Sequence, residues 1–275
     1  INADPERQVV VVSAPGKRTE DDIKVTDLMI TYAYMSLRSN NYQDIATRIF
    51  KRYELIAQYF ELPEAELEDI KQLLLTLPKL SYPNNDYRMA TFKAHGERLN
   101  AILIAKILNH QGIKARFLEP KDVGLIVTGT SNNAEVNPET YVNLKRIKAA
   151  KDEKIIFPGF YGITPSGHIA TFSRGGSDIT GAILARGLNA DLYENFTDVD
   201  AIFSANPHIV DQPKPIKRMT YQEMRELSYA GFSVFHDEAL IPAIQGEIPV
   251  NVKNTNAPEK PGTMIVPEDG FIPKH

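Results

Sequence analysis

Phe172-Ser173-Arg174-Gly175-Gly176-Ser177-Asp178 stands between a run that reads as a strand, His168 to Phe172, and a helical run, Ile179 to Gly187. Two adjacent glycines let the backbone come close to an anion, and the following helix offers N–H groups and a positive dipole end. An arginine beside such a turn can grip a carboxylate or phosphate through two donors. A plainer reading stays open: Gly175 and Gly176 make a tight strand-to-helix turn and Asp178 caps the helix. On either reading the stretch is a strand, a glycine turn and a helix in succession, and that succession recurs along the chain.

Further strand candidates are Val9 to Ser13, Ala115 to Leu118, Leu125 to Thr128, Lys154 to Phe157, Asp191 to Phe196, Ser233 to Phe235 and Ile248 to Lys253. Several are continuous apolar runs, as strands covered on both faces should be. Between residues 25 and 80 the spacing turns helical; after Pro63, Leu67, Ile70, Leu73, Leu74 and Leu77 recur at three and four residues. Leu99, Ile102, Leu103 and Ile107 form the apolar face of a helix expected to begin near Gly96. Strands alternating with helices predict an α/β fold, a three-layer αβα sandwich on a mainly parallel central sheet. Asp211 to Pro215 reads as a Pro-rich turn, and Asn254 to His275 as a final loop, a short strand and a linker.

The bulk numbers narrow the function. A chain of 275 residues with 43% hydrophobic content can bury a full core. A net charge of -4, from 31 Lys plus Arg against 35 Asp plus Glu, lacks the basic excess that nucleic-acid binding needs. With no cysteine there is neither a disulfide framework nor a thiolate metal site, which suits a reducing cytoplasm. Apolar runs such as Val9 to Val12 are far below the roughly 20 residues of a membrane span, and the opening does not read as a signal peptide. The six histidines show no paired metal-ligand spacing. The chain starts at Ile1, and Ile1-Asn2-Ala3-Asp4-Pro5 reads like the end of a helix, so the expectation is that something upstream has been removed.

Taken in order, the motifs resemble those of the aspartokinases, within the amino acid kinase family. Phe157-Pro158-Gly159-Phe160-Tyr161-Gly162, then Ser173 to Asp178, then Thr197-Asp198-Val199-Asp200 are similar to that family's GF-G, GRGGSD and TDV-G segments. His95-Gly96-Glu97-Arg98-Leu99 resembles its GE segment, Val11-Val12-Ser13-Ala14 its first strand and loop, and Val25-Thr26-Asp27-Leu28 the start of its second helix. Ile248-Pro249-Val250 through Asn254-Thr255 and Pro261-Gly262-Thr263 match the end of its kinase region. The resemblance implies the amino acid kinase fold, with an amino-acid lobe over 1–160, helical between about 25 and 110, and a nucleotide lobe over 161–275.

It also implies ATP-dependent phosphorylation of the side-chain carboxylate of L-aspartate, with Mg²⁺ carried by ATP and a homo-oligomeric assembly. Ser13, Thr26, Glu97, Arg174 and Ser177 would hold aspartate, Glu97 pairing with its ammonium from the start of its helix, where the dipole keeps it ionised. Arg174 and Asp178 would act at the transferring group. Gly175, Gly176, Thr197, Asp198, Phe203, His208, Ser233 and Val234 would face the nucleotide. Read alone, Glu97 is also an exposed residue of a first helical turn, Ser13 a strand-end hydroxyl, Thr26 a helix cap, Thr197-Asp198 a polar turn and His208 a solvated loop residue.

The family's opening KFGG segment, whose lysine lies at the phosphates, has no counterpart here, so this stretch alone is expected to be inactive even if the natural enzyme is active. Ala230 to His236 replaces the family's GAKVLHP, putting Ser233 where a lysine is common. Two other readings stand beside the first: a kinase of the same fold for N-acetylglutamate or glutamate, and a non-catalytic aspartate-binding module. Glu97 favours an acceptor with a free ammonium, since an acylated nitrogen would leave its carboxylate unpaired.

Overall fold

The computed structural model describes residues 1–38, 41–150, 152–173, 175–204, 213–229 and 237–272. They form two compact units, Ile1–Ser177 and Asp178–His275.

In the first unit, β1 (Val9–Val12) leads through a loop into α1 (Val25–Arg38), α2 (Gln43–Tyr59), α3 (Glu68–Thr76) and the long α4 (Asn85–His110). After these come β2 (Ala115–Phe117), α5 (Pro120–Val123), β3 (Val127–Thr130), β4 (Asn133–Val136), α6 (Glu139–Leu144), β5 (Lys154–Pro158), β6 (Tyr161–Ile163) and β7 (Ile169–Thr171). The parallel order β1-β5-β2 sets Val9 beside Ile155 and Ala115 beside Lys154. Every residue of β5 is buried, which explains the apolar run Ile155 to Pro158 that follows Lys154. Ala101, Ala105 and Leu108 of α4 cover this sheet with Ile156. On its other side α4 packs into a helical core where Met29, Tyr32, Ile49, Tyr53, Leu67, Ile70, Leu74 and Leu99 are fully enclosed. Each such side chain contributes roughly 1.5–3 kcal/mol by leaving water, so the three-and-four spacing seen after Pro63 decides which faces meet.

The helix carrying Leu99 begins at Asn85, not near Gly96. Asn84 caps it, its Oδ1 accepting from the N–H groups of Asp86 and Tyr87, both at 3.0 Å. Gly96 lies mid-helix because a methyl there would come within 2.9 Å of the Ala14 side chain. The hairpin of β6 and β7 stays with the first unit: Ile163 donates to the Leu125 carbonyl at 2.9 Å and Thr171 to that of Ser131 at 2.8 Å. The units therefore part at 177/178, against 160/161 in the sequence reading.

The chain continues through α7 (Gly176–Leu188), β8 (Tyr193–Thr197), β9 (Arg218–Thr220), α8 (Tyr221–Tyr229), α9 (Ile241–Gln245), β10 (Val250–Asn254) and β11 (Thr263–Val266). The second unit's sheet runs β8-β10-β11-β9, parallel at β8–β10 and β11–β9 and antiparallel at β10–β11. Ala182, Ala185, Met219, Tyr221, Met224, Ala243, Val250, Val252 and Ile265 form its core. The fold class is α/β, as the alternation predicts. The expected strand Ser233 to Phe235 lies outside the described residues.

Candidate active site

In the first unit the expected site residues gather around two places on α4. At Gly96 the helix passes against Ala14, and Asn100 Nδ2 donates to the carbonyl of Ser13 at 2.7 Å. Val25 N–H donates to the Pro15 carbonyl at 3.2 Å, so Thr26, the second residue of α1, enters the same neighbourhood as exposed Ser13 and buried Glu97. One turn earlier, the Lys93 ammonium lies 5.6 Å from the centroid of the Phe160 ring. Phe160 N–H donates to the carbonyl of Gly176 at 3.2 Å, and Gly159 abuts Ser177. The turn Gly175-Gly176-Ser177 is thus connected through Phe160 to Lys93, and through one helical turn to Glu97.

This turn is built from unusual backbone. Gly175 has φ +57 and Phe160 has φ +80, a region that costs a non-glycine residue about 1–3 kcal/mol. Phe160 is held there from both sides, since Phe172 N–H also donates to its carbonyl at 2.9 Å.

Glu97 differs from its expected setting. It is 6% exposed and twelve residues into α4, about 18 Å from the helix start at 1.5 Å per residue, beyond reach of the N-terminal dipole. Burial pushes its carboxyl up to about 8, while hydrogen bonding from the Ala14 and Glu97 backbone and the Lys93 charge pull the other way. Among the described residues its Oε2 has no hydrogen-bond partner. Lys93 is held below the ordinary lysine range by burial, opposed by Glu97. Tyr53 packs alongside, its hydroxyl donating to the Gly96 carbonyl at 2.9 Å. Sequence reading missed Lys93, although its place four residues before Glu97 is the spacing at which helical side chains meet.

His95, two residues away, is also enclosed, and burial followed by the Arg98 charge lowers it to about 3. The two groups limit stability on opposite sides. His95 has its folded value depressed below 6.5, so its contribution is present above about pH 6.5 and is lost as pH falls toward 3. Glu97 has its folded value raised above 4.5, so its contribution is present below about pH 4.5 and is lost as pH rises toward 8. Denaturant titrations without ligand should show a shoulder between about pH 4.5 and 6.5, where the slopes oppose, with losses on both sides approaching 1.4 kcal/mol per pH unit. Glu97→Gln should flatten the alkaline limb alone and His95→Gln the acid limb alone; limbs that both persist would sink this assignment.

In the second unit, Asp178 lies in the first turn of α7. Asn195 Nδ2 donates to its Oδ1 at 2.9 Å and to the Tyr193 hydroxyl at 3.0 Å, and that hydroxyl donates to the Asp178 carbonyl at 3.1 Å. Burial, then the Asp178 charge, raises the Tyr193 phenol, which keeps it a donor. At the C-terminal end of β8, Thr197 Oγ1 donates to the exposed Asp198 at 3.1 Å and accepts from Val199 N–H at 3.3 Å. Strand β10 ends alongside, Thr255 N–H donating to the Thr197 carbonyl at 2.8 Å. The sequence reading also missed Asp200, which accepts from Asn254 Nδ2 and Lys260 Nζ, both at 2.6 Å, and is held below the usual carboxylate range chiefly by Lys260. Carboxyl ends of parallel strands are where open α/β sheets bind ligands. Phe203 is half-buried and bridges to Pro215. Arg174, His208, Ser233 and Val234 lie outside the described residues.

The profile of the amino acid kinase family matches residues 2–254. The chain belongs to the amino acid kinase family. Within that family, it is 52% identical over 266 residues to aspartokinase 3 of Bacillus subtilis, a match covering 97% of this chain and 58% of that protein. The aspartate kinase of Clostridium acetobutylicum superposes with a TM-score of 0.81 at 34% identity, over 99% of this chain and 58% of the other. E. coli aspartokinase III, solved in complex with lysine and aspartate, gives 0.81 at 25% identity over 96% and 59%. The chain thus shares the amino acid kinase fold and spans somewhat over half the length of these relatives. Among the described residues, no helix is long and apolar enough to cross a membrane.

Proposed function

We propose that this chain carries the substrate and nucleotide sites of an aspartate kinase, which transfers the γ-phosphoryl group of ATP to the side-chain carboxylate of L-aspartate. The product, 4-phospho-L-aspartate, opens the biosynthesis of the aspartate-derived amino acids. One observation supports this reading above the others: a buried carboxylate, Glu97, against the Ala14 backbone next to Ser13, with one oxygen that has no partner among the described residues, in a chain half identical to an aspartokinase.

In this reading Glu97 receives the substrate ammonium, with Ser13 and Thr26 supplying hydroxyls around it. Arg174 grips a substrate carboxylate, and Ser177 lines the same end of the glycine turn. The aspartate side chain, with a reference pKa of about 3.9, is already an anion at neutral pH, so no residue has to act as its base. The protein's work is placement and charge compensation. Gly175 and Gly176 bring backbone to the phosphates, Asp178 is oriented by Asn195, and Thr197, Asp198, Phe203, His208, Ser233 and Val234 face the nucleotide. Among the described residues no group of three or more His, Asp or Glu side chains is arranged to hold a metal. Mg²⁺ arriving on ATP keeps several waters and takes one or two carboxylates, and Asp178, its Oδ1 fixed by Asn195, would be the one to meet it here. Mg²⁺ supplies charge compensation for the phosphates when bound. A cytoplasmic setting and a homo-oligomer complete the reading, on the absence of cysteine and on family resemblance respectively.

Calorimetric titration with L-aspartate, L-glutamate and N-acetyl-L-glutamate, with Arg174→Ala as control, tests the acceptor. Selective aspartate binding that disappears in the variant is the expected result. Equal binding of the acylated acid would overturn the assignment.

A further inference from the structure

Arg98 follows Glu97 on α4, turned from it by about 100° of helix. Its Nη1 stands 3.0 Å from Nε2 of His95, and Nη2 donates to Glu119 Oε2 at 3.0 Å. Its Nε lies 2.5 Å from Oε1, off the line of the N–H bond. The partners fix the histidine tautomer: Nδ1 lies 2.8 Å from the Thr91 carbonyl, which can only accept, so Nδ1 carries the proton and Nε2 accepts from the guanidinium. His95 is therefore a neutral link between the backbone of α4 and Arg98.

Glu119, at the other end, sits on rigid ground. It immediately precedes α5, and its neighbour Leu118 is bonded through N–H to the Ile156 carbonyl of β5 at 3.0 Å. Tyr161 is fully buried near this pair; burial raises its phenol, with the Glu119 charge the next cause. Tyr161 opens β6 directly after Phe160, the residue in contact with Lys93 and Gly176. The guanidinium thus joins α4 to the sheet-anchored connection that flanks the glycine turn.

We infer that Arg98 is a positioning residue, clamped between His95 and Glu119 so that α4 presents Glu97 to the ammonium of the acceptor. This rests on the reading of Glu97 as the ammonium's partner. A clamp of this kind matters through geometry more than through stability. The pair is about one-fifth exposed at each partner, and such partly solvated ion pairs contribute about 0–1 kcal/mol. A rotation of α4 by about 10°, however, carries a side-chain tip at about 5–6 Å from the axis through about 1 Å. Misplacement on that scale costs up to about a hundredfold in a site that depends on positioning.

The test is steady-state kinetics of the intact protein, varying L-aspartate and ATP separately, for Glu119→Gln, Arg98→Lys and Glu97→Gln. Glu119→Gln is nearly isosteric and Arg98→Lys keeps the charge but loses the fork, so one remains informative if the other fails to fold. Both are expected to raise KM for aspartate by about tenfold, with KM for ATP and kcat within about twofold of the parent. A merely structural pair would lower the melting temperature and leave KM for aspartate alone, and that outcome overturns the proposal. If Glu97→Gln raises KM for aspartate and neither clamp variant does, the proposal falls by itself. If Glu97→Gln has no effect on it, the acceptor reading falls and the clamp with it.

Discussion

Glu97→Gln should weaken binding of L-aspartate by about 30- to 1,000-fold at pH 8, the roughly 2–4 kcal/mol lost when a buried ammonium faces a neutral amide instead of a carboxylate. The parent's affinity should also carry a signature in pH. Burial holds the Glu97 carboxyl near 8, so at pH 6 binding an ammonium must first displace a proton. The apparent dissociation constant should fall by about tenfold per pH unit from 6 toward 8 and level off above, because only the ionised form pairs. The groups facing this carboxylate sharpen the expectation. Tyr53 and Tyr161 are both held well above their ordinary values by burial, so neither changes charge in that range, and Lys93 favours ionisation of Glu97. Glu97→Gln should bind weakly and without that slope. Calorimetry across pH 6–9 reads both; a parent affinity flat over that range would show that Glu97 does not meet the ammonium.

This behaviour was hidden from the sequence by one misplaced boundary. Gly96 looks like a helix start because glycine is costly inside helices and an apolar face at Leu99, Ile102, Leu103 and Ile107 follows it. The preceding turns give no amphipathic signal, because Ala90, Thr91, Phe92, Ala94, His95 and Glu97 are buried on all sides. The true start was legible in Asn84, a strong capping residue after Pro83. Burial around the middle of α4 depends on where Ala14 and Tyr53 arrive, which no local spacing encodes. The same holds for β4, β6 and β9: each is three or four residues long and exists because a partner strand pairs with it. By contrast, β5 and the helix after Pro63 were readable, since full burial writes itself as a continuous apolar run and one-sided burial as a three-and-four repeat. The order of the motifs told family; only coordinates join Lys93, Phe160 and Gly176.

That junction leaves no room for a side chain at Gly176. A methyl group there would come within 3.0 Å of Phe160 Cα and collide with its ring. The ring could rotate only by leaving Lys93, and the Phe160 backbone is fixed by bonds to Gly176 and from Phe172. The glycine turn has to move instead, and it is the element proposed to hold the phosphates. Gly176→Ala should therefore lower turnover by at least about a hundredfold, and overpacking of this kind should cost about 1–3 kcal/mol of stability. Phe160→Gly relieves the clash and also suits φ +80, where a residue without Cβ is unstrained. The double variant Gly176→Ala/Phe160→Gly should accordingly melt at a higher temperature than Gly176→Ala, and recover part of its turnover if position of the turn, not the phenyl ring, limits the reaction. Additive losses in the double variant would mean that the ring itself, through its hold on Lys93, is what the site requires.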